Sequence, residues 1–254
     1  MLSFIVILGV LGIITADPIV YTQAQGKPSF GITGGDIAVI EDHPYGVILE
    51  IDSRVTCTAS IVSNNYIITR GDCAREIERR GIIRAGSSQK GRNGTEHNVD
   101  KVISHEDFKG NVMGLIRIKE PFQFDQTHQV IPLFDKDEEI ETGTVGIVIG
   151  WGFTENDRRN KNDHSYKINM TVLDDEVCKQ EYDQEYESGK MICAINNEHK
   201  GKDICWFDYA DPLVIDGRLA GIVLGNEDLC TGNKPVIFAK IAHYHDWIME
   251  IIQQ

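Results

Sequence analysis

The sequence predicts an all-β domain, a barrel or a sandwich, closed by a single C-terminal helix. Short runs rich in β-branched and aromatic residues recur from Ile32 onward: "YGVILEI", "TASIVS", "YIITR", "GLIRIKEP", "TVGIVIGWG", "LVIDGRLAGIVLG" and "VIFAKI". Gly, Asn and Asp punctuate them, as turns between short strands require. The chain ends differently, on "HYHDWIMEIIQQ", where Tyr244, Trp247, Ile248, Ile251 and Ile252 share one helical face. That spacing predicts a helix docked on the body.

Taken in order, residues 1–16 are an apolar run without Lys or Arg, ending at Ala16. The run is too short for a membrane span, and its small terminal residue suits signal-peptide cleavage. Residues 17–31, polar and proline-containing, read as a short propeptide or arm. Residues 32–254 form the body. No later segment is apolar for long enough to cross a bilayer, so the expectation is a secreted, extracellular protein with no membrane partner. The net charge of −14 lies entirely outside the leader. Such a surface repels nucleic acid and anionic lipid.

Six cysteines in a secreted chain predict disulfides. Their spacing leaves all fifteen pairings open. No C-x-x-C or clustered Cys/His spacing points to a metal, and His243 and His245 fall on different faces of the final helix. No metal and no cofactor are expected. "NGT" at Asn93 and "NMT" at Asn169 are glycosylation sequons, both in polar, turn-prone surroundings.

The series "GITGGD…HPYGVIL", "CTASIVSNNYIITRGDCA", "GNVMGLIRIKEP", "GIVIGWG", "MICA", "KDICWFDYADPLV", "GIVLGNEDLC", "NKPVIFAKI" and the final "WI" resembles the chymotrypsin/trypsin-like serine proteases, in family order, from Ile32 to Gln254. The resemblance implies two packed six-stranded antiparallel β-barrels with a C-terminal α-helix. It also implies the pairing Cys57–Cys73, Cys178–Cys193 and Cys205–Cys230, each bridge worth roughly 2–4 kcal/mol.

The same alignment implies that the family chemistry is lost. Acyl transfer needs a serine to attack, a histidine to take its proton and an aspartate to hold the histidine's tautomer. Where the family has "T-A-A-H-C" this chain has "TRGDC", which puts Asp72 at the histidine. An aspartate with an unperturbed pKa of about 4 is a poor base for an alcohol at neutral pH. Val112 stands at the aspartate and accepts no hydrogen bond. Tyr209, in "FDYADP", stands at the serine. Phe207 takes the place of the oxyanion-hole glycine, where a Cβ restricts the peptide's orientation.

Asp203 aligns with the acid at the base of a basic-specific S1 pocket, but Asn226 and Val236 align with the glycines of its walls. Their side chains are expected to fill the space a substrate side chain would use. Asp208 aligns with the aspartate that pairs with the amine released on activation. Gly31, after Phe30, precedes Ile32, so a trypsin-like enzyme would not cut there. Some family members bind calcium in the loop matching residues 87–96, but "SSQKGRNGTEH" lacks paired carboxylates at workable spacing.

The resemblance is strongest to the inactivated serine protease paralogues of scabies mites. It implies a secreted pseudoprotease that acts by binding protein, with host complement components as the expected partner. The alternative is an enzyme with residual or rerouted peptide hydrolysis, supported by the intact Asp203 and Asp208.

Overall fold

The computed structural model describes residues 32, 34–51, 54–107, 112–152, 164–198, 203–204, 208–225 and 234–254, with the side chains of 54–56 excepted. The leader, the arm before Ile32, Phe207, Asn226, Cys205 and Cys230 lie outside the described residues.

The first sheet holds β2 (Gly46–Ile51), β3 (Arg54–Ile61), β4 (Tyr66–Thr69), β5 (Gly81–Ala85), β6 (Thr95–His97), β7 (Val99–Ser104) and β8 (Gly114–Ile118). Their order is β6-β5-β2-β3-β4-β8-β7, antiparallel throughout. The two end strands, β6 and β7, are consecutive in the chain and separated only by Asn98. One extended run therefore leaves β5 and joins β8, closing the sheet on itself. Counted that way, the barrel has the six strands the sequence predicts.

The second sheet contains β9 (Val145–Gly150), β10 (Tyr166–Val172), β11 (Met191–Ile195), β12 (Pro212–Ile215), β13 (Arg218–Val223) and β14 (Val236–Lys240). Because β9 pairs with both β10 and β12, these six close into a ring. A two-residue ladder from β1 (Asp36–Ile37) adds to β10. The β12–β13 hairpin turns through Asp216 and Gly217, both at positive φ (49° and 73°). Asp-Gly is the pair that a two-residue type I′ turn favours.

Three buried clusters explain the strand sequences. One fills the first barrel, with Val47, Leu49, Ile67, Ile83 and Ile116. A second fills the second barrel, with Val148, Met170, Leu213, Phe238 and the side chain of Ile32. The third lies where the barrels meet, joining Ile48, Ile68 and Leu115 of one to Ile149, Trp151 and Ile222 of the other. Because β2 faces its own barrel on one side and the other barrel on the other, every residue of "GVILEI" is buried. The acid within it, Glu50, is neutralised by Arg84 of β5, whose Nε lies 3.3 Å from Glu50 Oε1. The Arg84 guanidinium also binds Glu96 at 2.7 Å, so an arginine ties the 87–96 loop to the barrel.

The C-terminal helix is present as Ile241–Ile252, two residues earlier than the periodic stretch begins. Tyr244 and Ile248 are buried in the inter-barrel cluster, with Trp247, Ile251 and Ile252 packed at its edge. Two further helices were not evident in the sequence. The first, α1 (Gly71–Arg80), buries Cys73, Ala74 and Ile77 on the first barrel. The second, α2 (Asp175–Tyr182), is capped by Asp174, which accepts from Glu176 N. The C-terminal helix is α3. Both new helices are anchored by disulfides that the family resemblance implies, α1 by Cys57–Cys73 and α2 by Cys178–Cys193. Cys205–Cys230 falls outside the described residues.

Among the described residues no helix is long and apolar enough to cross a membrane.

Candidate active-site cleft

The positions the sequence aligns with a catalytic triad lie along the seam between the barrels. Asp72 opens α1, Val112 precedes β8, and Tyr209 precedes the strand β12. What joins Asp72 and Tyr209 is Arg70, which the sequence reading passed over. It follows β4 directly and is the residue immediately before α1.

Arg70 makes three kinds of contact. Its Nε donates to Asp72 Oδ1 at 3.0 Å and its Nη2 to Asp72 Oδ2. Its Nη1 donates to the carbonyl of Leu224, just past β13, at 2.6 Å. Its Cζ sits 4.4 Å from the centroid of the Tyr209 ring, a cation–π stack. The carboxylate of Asp72 also accepts from Cys73 N at 2.9 Å. A planar, five-donor guanidinium can serve a carboxylate, a carbonyl and a ring face at once.

The backbone seats the ring of Tyr209. Its carbonyl accepts from Thr58 N at 2.9 Å, and the next residue, Ala210, takes a left-handed φ of 64° while donating to Val223 O. Gly225 leaves the space the ring needs. A Cβ there would lie 2.9 Å from Tyr209 Cε1, and its φ of 88° disfavours any side chain. Among the described residues no histidine contacts Tyr209. Val112 is buried in the inter-barrel cluster rather than aimed at a partner. What remains open is a groove of about 270 Å³ with walls of Val112, Met191, Leu224 and Ile237, and Arg70 and Glu185 as its charged groups.

The acids that the sequence singled out are buried. Asp203 is 4 % exposed and accepts from Ile204 N at 2.8 Å. Asp208 is fully buried, and its Oδ1 accepts from Gly152 N at 3.1 Å. Val236 is fully buried in the core of the second barrel.

A further acid, Asp211, lies two residues after Tyr209. It is fully buried against the backbone of Gly150, where a Cβ would come within 1.9 Å of its Oδ2. Among the described residues neither carboxylate oxygen makes a well-formed hydrogen bond. Burial first, and then the neighbouring Asp208, push Asp211 well above the usual carboxylate range.

The sequons differ in setting. Asn93 is exposed in a turn with φ 54°. Asn169 is not in a turn, contrary to the sequence reading. It lies within β10, exposed between the buried Ile168 and Met170, and its Nδ2 donates to Glu198 Oε1 at 2.7 Å. Strand alternation, which the polar flanks obscured, puts it on the outer face.

Comparison with known proteins agrees with this architecture. The family model for trypsin matches residues 32–248. Trypsin epsilon of Drosophila erecta is 29 % identical over 98 % of this chain and 97 % of its own. Trypsin eta of Drosophila melanogaster is 30 % identical over 76 % of this chain and 75 % of its own. Among solved structures, the scabies mite inactivated protease paralogue S-D1 superposes with a TM-score of 0.76 at 26 % identity, covering 87 % of this chain and 97 % of that one. The chain belongs to the trypsin family.

Proposed function

We propose that the protein is a secreted, catalytically inactive member of the trypsin family that acts by binding another protein. The observation that carries this reading is Arg70. It holds Asp72, stacks on Tyr209 and occupies the Leu224 carbonyl. Asp72, Val112 and Tyr209 align with the family's histidine, aspartate and serine, so the residues at the base and nucleophile positions are engaged with the same cation instead of with each other. A triad works as a unit in which the base is hydrogen-bonded to the nucleophile and a third group orients the base. Neither link is built here. A peptide laid along Leu224 would also meet a backbone acceptor already in use.

The likeness to a structure named an inactivated protease paralogue supports the same reading. Both described disulfides fit an extracellular protein. In this reading the leader is removed after Ala16, and the exposed sequons at Asn93 and Asn169 carry glycans. The partner expected from the resemblance to the mite paralogues is a host complement component.

The test is capture from serum. Tagged, disulfide-bonded mature protein is incubated with host serum beside an active trypsin blocked with inhibitor. Selective enrichment of complement components on this chain is the expected result. Recovery no different from the trypsin control would contradict binding of a serum protein.

A further inference from the structure

A second concavity lies on the second barrel. It forms where the loop before β9, the link from β10 into α2 and the approach to β11 meet the end of β14. Its volume is about 320 Å³, at the lower end of the range for ligand pockets. Met191 lines both this pocket and the cleft groove.

Lys240 sets the chemistry of the pocket. It is the last residue of β14, immediately before α3, and its backbone N donates to Lys190 O at 2.9 Å. The residue is only 5 % exposed. Its Nζ donates to Glu139 Oε2 at 2.7 Å, and among the described residues that is the one acceptor it meets. An ammonium carries three donors, and a buried donor without an acceptor is costly. The Glu139 side chain is itself 83 % exposed, so the partner comes from the solvent side of the pocket. Two N–H groups of a buried cation are left for whatever enters.

The opposite wall carries acids. Asp175 is already engaged: it accepts from Tyr186 Oη and Ser188 Oγ, each at 2.7 Å, and pairs with Lys179 at 3.0 Å. Asp174 uses Oδ1 to cap α2, and among the described residues its Oδ2 makes no hydrogen bond. Ile140 and Leu173 give the pocket apolar surface.

Charge then selects the ligand. A cation would meet the buried Lys240, and an anion would meet Glu139, Asp174 and Asp175. A neutral hydroxyl suits both sides, because it accepts from an ammonium and donates to a carboxylate. Several hydroxyls on one small ring, with C–H faces for the apolar wall, match this lining. We propose that the pocket binds a neutral pyranose sugar. One hydroxyl accepts from Lys240 Nζ, another donates to Asp174 Oδ2, and a C–H face rests on Ile140 and Leu173. This site is independent of whether the cleft is inactive.

The test is a titration of the mature protein with the methyl glycosides of glucose, galactose, mannose and N-acetylglucosamine, read by calorimetry and by backbone amide resonances. Saturable binding of at least one is expected, with the amides of Thr142 and Gly189 shifted and those of Arg70 and Gly225 unmoved. Glucuronic acid and glucosamine, an anion and a cation on the same ring, are expected to bind at least about tenfold more weakly. Lys240→Met is expected to weaken binding about tenfold or more. Asp174→Asn, which keeps the cap of α2 and so the fold, is expected to weaken it roughly three- to tenfold. Absence of saturable binding, wild-type affinity in Asp174→Asn, or shifts centred on Arg70 and Gly225 would overturn the assignment. So would glucuronic acid binding as tightly as the neutral sugars, since Lys240 would then be holding a carboxylate.

Discussion

Tyr209→Ser, which puts a serine where the motif alignment places the family's nucleophile, is expected to leave hydrolysis of Lys and Arg esters at the background rate. The new hydroxyl would stand beside the Arg70 guanidinium, which is already held by Asp72 and by the Leu224 carbonyl. Asp72, at the aligned base position, is held by Arg70, and a cation accepts no proton. Triad members act as a unit, and losing the nucleophile or the base alone removes on the order of 10⁶ in kcat. One restored member among three changed positions therefore recovers nothing measurable. Ester turnover by the purified variant, against wild type and against an active trypsin, checks this. A rise above wild type in proportion to enzyme would mean that another group serves as base.

Asp211→Asn is expected to stabilise the protein at neutral and alkaline pH. Asp208 and Asp211 are both fully buried, and Asp208 is among the groups that raise Asp211. Asp208 receives Gly152 N, whereas the oxygens of Asp211 have no well-formed partner among the described residues. The folded state therefore favours protonated Asp211 more than the unfolded chain does. Its contribution is fully present below the unfolded aspartate pKa of about 4 and is lost as pH rises through the elevated folded pKa. Asparagine is neutral throughout and of similar volume. Removing a buried carboxylate with no well-formed partner among the described residues is worth about 1–3 kcal/mol, or roughly 2–4 °C in Tm for each kcal/mol in a domain of this size. Thermal melts of wild type and variant from acid to alkaline pH should diverge as pH rises. Parallel curves would show that Asp211 does not titrate in the range examined.

Much of the fold was legible because alternating β-branched runs and turn residues report barrels directly, and the C-terminal helix declared itself through Tyr244, Ile248 and Ile252. The helices α1 and α2 did not. The segment "GDCAREIERR" is short, begins with glycine and is mostly charged, and its buried Gly71, Cys73, Ala74 and Ile77, with the Cys57–Cys73 bridge, hold it on the barrel. The sequon at Asn169 was misplaced in a turn because its strand is polar on the outer face.

The cleft was legible only as a set of substitutions. Motif comparison shows what stands at each position, and so it drew attention to Asp72, Val112 and Tyr209. It does not show what replaces the missing interactions. Arg70 lies within the quoted "TRGDC", but its other partners, Tyr209 and Leu224, are far along the chain, and only the packing of one barrel on the other brings them together. Asp211 was equally visible in "FDYADP". Its burial against Gly150 depends on the register of β12 against β9, which no local pattern reveals.

In the proposed reading Tyr209 is not a nucleophile and the cleft performs no acyl transfer. Labelling with a fluorophosphonate probe, followed by peptide mapping, tests it most directly. Mature wild-type protein should remain unlabelled under conditions that label an active trypsin completely. Stoichiometric labelling that maps to Tyr209 and disappears in Tyr209→Phe would contradict the claim and restore an enzymatic reading of the site.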